Sequence, residues 1–222
     1  QFFTKIFGDK LESVLMGITM VISVILALGI FMVLPFFLTN LMKGFLPSYS
    51  IRTLIEGIIR VALFLIYIWL ISKMEDIKRV FMYHGAEHKT INCLEHGEDL
   101  TPENIKKYSR LHKRCGTSFL LIVMIVSIVV FMFIRVDNLV WKFVLRILLV
   151  PVVAGISYEF IRLAGRSDSK IVNTLSKPGL YLQYFTTREP DEEMMEVAIK
   201  AVEGVFDWRE YLRAMHNGEL ED

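Results

Sequence analysis

Two histidines four positions apart, with a glutamate directly before the second, are the residues of this 222-residue chain with the clearest chemistry. His84, Glu87 and His88 stand in the order H-x-x-E-H, by which zinc hydrolases of the inverted type hold their metal. Residues four apart share one face of a helix, so both imidazoles can reach the same ion. The carboxylate is then free to act as general base and take a proton from water. The motif predicts a site for zinc or another divalent metal, with Glu87 as the catalytic residue.

A catalytic zinc site needs a third protein ligand, and other ligand-type side chains stand in two further stretches. His112 and Cys115 come directly before an apolar run, and Glu159 lies near the end of the next one. A carboxylate at the end of a membrane helix is costly unless it is paired. We therefore predict Glu159 as the third ligand and His112 as the alternative. The competing interpretation is that Glu159 pairs with Arg162, three residues later.

A secondary site is assigned to Cys115, Arg114 and Arg188. Arg188 would serve an anionic substrate or pair with a neighbouring acid. The competing interpretations are that Arg114 belongs to a group of basic residues that meets anionic lipid headgroups, and that Cys115 is a small packing residue, as is more usual for cysteine. For His84 and His88 the competing interpretation is hydrogen bonding to loop carbonyls or lipid phosphates.

Membrane-spanning helices are the elements that must position these residues. Hydrophobic residues make up 54% of the chain and the mean hydropathy is +0.46, which is too apolar for an ordinary soluble domain. Four segments approach or exceed the length of about 20 apolar residues that crosses a bilayer: 13–38, 51–72, 116–134 and 139–163. We predict an all-α polytopic membrane protein with four transmembrane helices and a cytoplasmic helical layer.

Basic residues orient these spans. Loop 73–115 carries nine Lys and Arg and the tail from Arg162 carries eight, whereas links 39–52 and 135–138 carry two and one. The positive-inside rule then places both termini and loop 73–115 of this multi-pass membrane protein in the cytoplasm. The candidate ligands should converge at that face. The formal net charge of +1 offers no argument for nucleic acid as a partner.

This topology divides the chain into four regions. They are a first transmembrane hairpin (1–72), a cytoplasmic helical loop with the H-x-x-E-H motif (73–115), a second transmembrane hairpin (116–163) and a cytoplasmic C-terminal region (164–222). The last region contains a helix, 191–205, that should dock on the cytoplasmic layer or on a partner.

Charged residues inside the spans carry a separate prediction. Glu56 and Arg60 are four apart on the second span, which favours an internal ion pair, with a polar cavity lining as the alternative. Lys142 and Arg146 on the fourth span are expected to snorkel outward.

Two backbone features are also predicted. The helix of the H-x-x-E-H motif should continue from the second span and, if it bends, bend at Gly85. The Pro178-Gly179 pair should interrupt the tail before an apolar-aromatic stretch.

Four stretches carry a family resemblance: "YHGAEHKTINCLE", "LHKRCGTSFL", "PVVAGISYEFIRLAGR" and "KPGLYLQYFTTREPDEEMMEVAI". Together they resemble the YqhQ family, the DUF1385 membrane proteins of Firmicutes and other bacteria, from about residue 10 to 205. The resemblance implies a multi-pass protein of the bacterial cytoplasmic (plasma) membrane and, by motif inference, metal-dependent activity. Family members usually begin with a glycine-rich segment similar to "GGQAVIEGVMMR", which this chain lacks. Since the chain starts at Gln1 and not Met, we expect its true N-terminus upstream.

Two functions from different classes follow. The first is a metal-dependent, hydrolase-like membrane enzyme that acts at the cytoplasmic face on a lipid-linked or membrane-peptide substrate. The second is a non-enzymatic assembly factor or subunit of a larger membrane complex, such as one that handles nascent membrane proteins, with a structural His/Glu cluster. A weaker third is a transporter or channel that uses Glu56, Arg60 and Glu159. The expected partners are the lipid bilayer, other membrane proteins and further copies of the chain.

Overall fold

A computed structural model of the chain describes residues 11–46, 48–136, 138–167 and 169–219. These residues form helices joined by short connections, and no strand occurs among them. In chain order the helices are α1 (Leu11–Leu28), a π-helical turn (Gly29–Val33), α2 (Leu34–Leu41), α3 (Tyr49–Ile71), α4 (Glu75–Glu95), α5 (Pro102–Ile105), α6 (Gly116–Met132), α7 (Leu139–Leu148), α8 (Val150–Arg166), α9 (Lys170–Thr186), α10 (Glu192–Glu203) and α11 (Trp208–Asn217).

Three helical segments of the described chain are long and apolar enough to cross a membrane: Glu12–Leu41, Tyr49–Ile71 and Val140–Arg166. They correspond to the first, second and fourth predicted spans, and their length and composition indicate membrane association. The third predicted span is helix α6, which is apolar but only 17 residues long. That length is at the lower limit of about 17 residues for a transmembrane helix, so the fourth crossing stays a prediction.

Helix α6 is the centre of the apolar part of the fold, because α3, α8 and α9 all pack against it. Its approach to α9 is close: a Cβ added at Gly179 would lie 2.8 Å from the Cβ of Ser118. The predicted interruption at Pro178-Gly179 is wrong, since α9 runs through both residues. Proline removes one helical hydrogen bond, and the packing of α9 on α6 through Gly179 favours the continuous helix despite that loss.

The H-x-x-E-H motif lies on α4, which is a separate helix from α3. The chain leaves the helical conformation at Ser72–Met74, where Met74 is extended, and α4 then begins with Glu75 and Asp76. Acids in the first turn stabilise this new start by complementing the helix dipole. Helix α4 therefore begins ten residues before Gly85 and is continuous through that glycine.

A hydrophobic core joins α4 to the helices of the C-terminal region. Ala86 and Cys93 are fully buried on α4 and pack in one cluster with Met194 of α10 and Trp208 of α11. Asp191 caps α10 by accepting a hydrogen bond from the Met194 amide at 2.9 Å. The helices α4, α5, α10 and α11 thus form one layer, called here the α4 layer.

Candidate metal centre

Three side chains of the metal-ligating types meet where the α4 layer adjoins α6. His84 and His88 come from α4, and Cys115 is the residue that precedes α6. Their ligand atoms all lie within 4.8 Å of one another. The two imidazole centroids are 4.3 Å apart, and the Cys115 Sγ atom is 3.5 Å from His84 Nε2. The structure thus brings together both histidines of the motif and the cysteine assigned to the secondary site.

Backbone carbonyls set the orientation of both imidazoles. His84 Nδ1 lies 2.7 Å from the Thr186 oxygen, and His88 Nδ1 lies 2.7 Å from the Arg110 oxygen. A carbonyl oxygen only accepts, so each Nδ1 carries the proton and donates it. Each Nε2 then has a free lone pair when the ring is neutral, which is the arrangement that metal-binding histidines use. The competing interpretation, hydrogen bonding of both histidines to backbone carbonyls, is thus confirmed. These bonds do not exclude a metal, because they orient both rings as metal-binding histidines are oriented.

Gly85 lets the carbonyl that orients His84 come close to α4. The Arg188 amide donates to the Phe81 carbonyl of α4 at 2.8 Å, so residues 186–188 lie directly on this helix. A Cβ added at Gly85 would overlap the Arg188 carbonyl oxygen. Because that neighbour is backbone, no side-chain rotation relieves the overlap. Glycine at this position therefore permits the contact between Thr186 and His84.

The surroundings of Cys115 favour its thiolate. Burial alone would raise the pKa of Cys115, but hydrogen bonds with His84, His88 and Thr117 outweigh it and lower the pKa to about 5. Burial alone would lower the pKa of His84, but the bonds to Cys115 and the Thr186 carbonyl raise it. A thiol with this pKa is deprotonated at neutral pH, the state in which cysteine binds metals.

The donor set is of a kind that zinc uses, and the separation between the His84 and Cys115 ligand atoms fits a tetrahedral zinc site. Zinc binds histidine nitrogen at about 2.0 Å and thiolate sulfur at about 2.3 Å, which places two tetrahedral ligand atoms about 3.5 Å apart. The separation between His84 Nε2 and Cys115 Sγ is 3.5 Å. Three protein ligands also match the number found in catalytic zinc sites, which keep a fourth position for water or substrate.

Glu87, the predicted general base, is exposed on α4 between the two histidines. Its negative charge contributes to the raised pKa of His84, so its field reaches the cluster. The carboxylate itself is not part of the three-ligand group. Its role toward water stays a prediction.

His112, the alternative third ligand, uses both ring nitrogens elsewhere. Its Nε2 is 3.0 Å from a Glu95 carboxylate oxygen, and its Nδ1 accepts from the Arg114 amide at 3.3 Å. The Arg114 guanidinium bonds the other Glu95 oxygen, so Arg114 serves this ion group and lies apart from the three ligands. The His112 ring is 5.9 Å from the His88 ring, so it borders the centre without contributing a ligand atom to the group.

Glu159, the preferred third ligand, does not match this geometry. Its side chain is 61% exposed and lies 3.5 Å from Arg162, the pairing named as the competing interpretation. Helix α8 packs through the face that carries Ser157, Ile161 and Ala164, all buried. Glu159 is on the opposite face, so the helix turns it away from the bundle. Cys115 stands where a third ligand is needed.

A buried glutamine that sequence reasoning did not single out holds the segment before α6. Gln183 of α9 is fully buried, accepts from the His112 amide and donates to the His112 carbonyl, each at 2.8 Å. It also donates to the Ser118 hydroxyl at 2.7 Å. These bonds tie the segment that carries Cys115 to α9. No spacing or motif marks this glutamine in the sequence.

Comparison with known proteins points to one family. A family model described as a protein of unknown function (DUF1385) matches residues 2–208. The chain is 41% identical over 182 residues to the uncharacterized protein YqhQ of Bacillus subtilis (strain 168). The alignment covers 82% of this chain and 57% of that relative, so the chain spans little more than half of the relative's length. No solved structure matches the chain significantly.

Proposed function

The chain belongs to the DUF1385 family of proteins of unknown function, and from this premise we propose that it is a metal-dependent, hydrolase-like membrane enzyme. Zinc, or another divalent cation, would be held by His84, His88 and Cys115. The observation that carries the proposal is the orientation of the two imidazoles. Each Nδ1 donates to a backbone carbonyl at 2.7 Å, so Nε2 is the ring atom of each histidine that could bind a metal together with the Cys115 sulfur.

The chemistry of such a centre follows from its donor set. Zinc held by these three residues would supply Lewis-acid polarisation of a substrate carbonyl or phosphoryl oxygen. Glu87 is exposed one residue before His88, where it would take a proton from an attacking water molecule. The Thr186 and Arg110 carbonyls hold the imidazoles in place throughout.

The side chain of Arg188 favours an anionic substrate for this site. Its Nε atom is buried and, among the residues that the structure describes, has no hydrogen-bond partner. Its backbone lies on α4 beside Gly85, one residue from the first ligand of the centre. The centre adjoins the start of apolar helix α6, so a phosphate- or carboxylate-bearing substrate held by the membrane at its cytoplasmic face suits this site best.

Metal binding by the purified protein tests the proposal. We expect one equivalent of zinc per chain, and an absorption band of cobalt-thiolate type after replacement by Co²⁺. His88→Ala and Cys115→Ser should lose the metal, and Cys115→Ser should also lose the band. His216→Gln is the matched control, because that histidine is exposed on α11. Zinc-free protein that takes up no added metal, or variants that bind it like the wild type, would overturn the proposal.

A second candidate function is a structural metal or histidine cluster in an assembly factor or complex subunit. Burial favours it, since Cys115 and His88 are each only 3% exposed. An exogenous ligand separates the two functions. If azide changes the spectrum of the Co²⁺ protein, the fourth position is open and the enzyme is supported. An unchanged spectrum in metal-loaded protein supports the structural role.

A further inference from the structure

A buried ion cluster lies at the end of α3 that is remote from the α4 layer. Glu56 is 3% exposed, and Arg146 donates to its two carboxylate oxygens at 2.6 and 3.1 Å. Arg60 donates to the same carboxylate at 3.0 Å, and the Lys142 ammonium is 4.0 Å away. The predicted pair of Glu56 and Arg60 is therefore part of a larger group. The expected outward snorkelling of Arg146 is wrong, since this residue is 7% exposed.

The cluster holds more positive than negative charge. One carboxylate faces three cations, which gives the four side chains a net charge of +2. Buried charge without a counter-ion is costly, above all within a membrane span. On one side the cluster borders an apolar cavity of about 420 Å³. Its described lining contains no acid, so compensating negative charge cannot come from that side.

A second, polar cavity of about 280 Å³ borders the other side of the cluster. Its lining includes three cations, Lys43, Arg52 and Lys142, and among its described residues the already engaged Glu56 is the one acid. The Nε atom of Arg52 is buried and has no hydrogen-bond partner in the described chain. Asn40, Tyr49 and Thr53 add amide and hydroxyl groups to the lining, whereas the Thr39 hydroxyl already donates to the Pro35 and Phe36 carbonyls. This set of donors suits an anion with several oxygen acceptors.

The position of the polar cavity favours a lipid as the source of that anion. Most of the lining comes from the end of α2, the connection that follows it and the start of α3, and Lys142 of α7 completes the set of cations. Helices α2 and α3 belong to two of the segments long enough to cross a membrane. Polar groups at such helix ends meet the headgroup layer. Leu41 at the end of α2 and Phe45 in the connection that follows are 66% and 86% exposed, so large apolar side chains close in sequence to the lining residues are available to acyl chains.

We propose that the polar cavity binds the phosphate of an anionic phospholipid through Lys43, Arg52 and Lys142. The phosphate neutralises part of the charge that Glu56 leaves uncompensated. The site is independent of the metal centre, because α3 separates the two.

Lipid retention by the full chain tests this site. The protein is purified in detergent and titrated with phosphatidylglycerol or phosphatidylcholine, and native mass spectrometry counts the bound lipids. We expect tighter binding of phosphatidylglycerol, and a loss of about fivefold in affinity for each of Arg52→Gln and Lys43→Gln. Lys78→Gln, an exposed position on α4, is the matched control and should bind like the wild type.

The variants are chosen so that folding does not obscure the result. Lys43 is exposed, and neither Lys43 nor Arg52 is an ion-pair partner of Glu56, so the buried cluster stays intact. Equal binding of both lipids would overturn the proposal. So would an unchanged affinity in Lys43→Gln and Arg52→Gln, or an equal loss in Lys78→Gln. Displacement of the lipid by millimolar inorganic phosphate would assign the cavity to free phosphate and also overturn it.

Discussion

Replacement of Gly85 by alanine tests how backbone packing prepares the metal centre. The added Cβ would overlap the Arg188 carbonyl oxygen, and residues 186–188 must move away from α4. This movement strains or breaks two hydrogen bonds, from the Arg188 amide to the Phe81 carbonyl and from His84 Nδ1 to the Thr186 carbonyl. We expect a less stable protein that also binds zinc more weakly.

The size of the effect follows from these contacts. Overpacking costs about 1–3 kcal/mol, and each lost hydrogen bond about 1 kcal/mol. Alanine regains about 1 kcal/mol over glycine in a helix, so the free energy of unfolding should fall by about 2–4 kcal/mol. Loss of the carbonyl that orients a metal-binding histidine reduces metal affinity by about 10–100-fold. Zinc affinity is therefore the more sensitive readout.

Chelator competition measures the zinc affinity, and chemical unfolding of the zinc-free protein measures the stability. Gly155→Ala is the matched control, since a Cβ at this α8 position meets nothing within 4 Å. It should leave zinc affinity unchanged and stabilise the helix by up to about 1 kcal/mol. If Gly85→Ala binds zinc and unfolds like Gly155→Ala, the close approach of residues 186–188 does not orient His84, and the reasoning fails.

Four further predictions concern individual acids and thiols. In zinc-free protein at pH 7, a disulfide reagent should label Cys115 about 20-fold faster than Cys93. The pKa values of about 5 and about 11 make the thiolate fraction of Cys115 about 10⁴ times larger. A thiolate of lower pKa is also a weaker nucleophile, which reduces this advantage by a factor of about 10^2.7. Peptide mapping by mass spectrometry measures this ratio, and a tenfold fall in the Cys115 rate per unit below pH 7 would contradict it. Burial alone would raise the pKa of Glu95, but its histidine and arginine partners lower it below the ordinary 4.5. The carboxylate therefore stabilises the fold above pH 4.5 and loses this effect as the pH falls through its lowered pKa, so Glu95→Gln should be less stable at pH 7 and show a weaker acid dependence in unfolding titrations. Glu159→Gln should retain the zinc affinity of the wild type in chelator competition, and a loss of affinity would show that Glu159 is a ligand after all. Glu56→Gln should lower the free energy of unfolding in detergent by about 3–5 kcal/mol, because three cations then lack their carboxylate, and a neutral effect would show that the cluster is otherwise compensated.

The helices were predictable from the sequence where the local pattern decides the structure. Long apolar runs mark the three segments that can cross a membrane, and the four-residue spacing of His84 and His88 places both on one side of α4. Helix interruption was less predictable. Pro178-Gly179 looked like a break, yet close packing between Gly179 and Ser118 keeps α9 continuous, and only the three-dimensional arrangement reveals that contact.

The third member of the metal centre was predictable in its location but not in its identity. The predicted topology places the segment before α6 at the same membrane face as the H-x-x-E-H motif. Cys115 was therefore among the candidate residues. The choice between Cys115 and Glu159 depends on how α8 is rotated about its axis. The packing of Ser157 and Ile161 against the bundle decides that rotation. The sequence does not reveal it, because apolar residues of α8 are found on both its buried and its exposed faces.

As the third of the predicted spans, helix α6 would connect the metal centre to the thickness of the bilayer. Its 17 residues span about 26 Å at 1.5 Å per residue, less than the hydrocarbon core of about 30 Å. A helix shorter than the core is accommodated by thinning of the surrounding bilayer, at a cost in free energy that rises with the mismatch. Cys115 immediately precedes α6 while His84 and His88 stand on α4, so a change in the position of α6 would change the distance between sulfur and nitrogen. If α6 is such a span, lipid chain length would be a mechanical input to metal affinity, transmitted by a single helix.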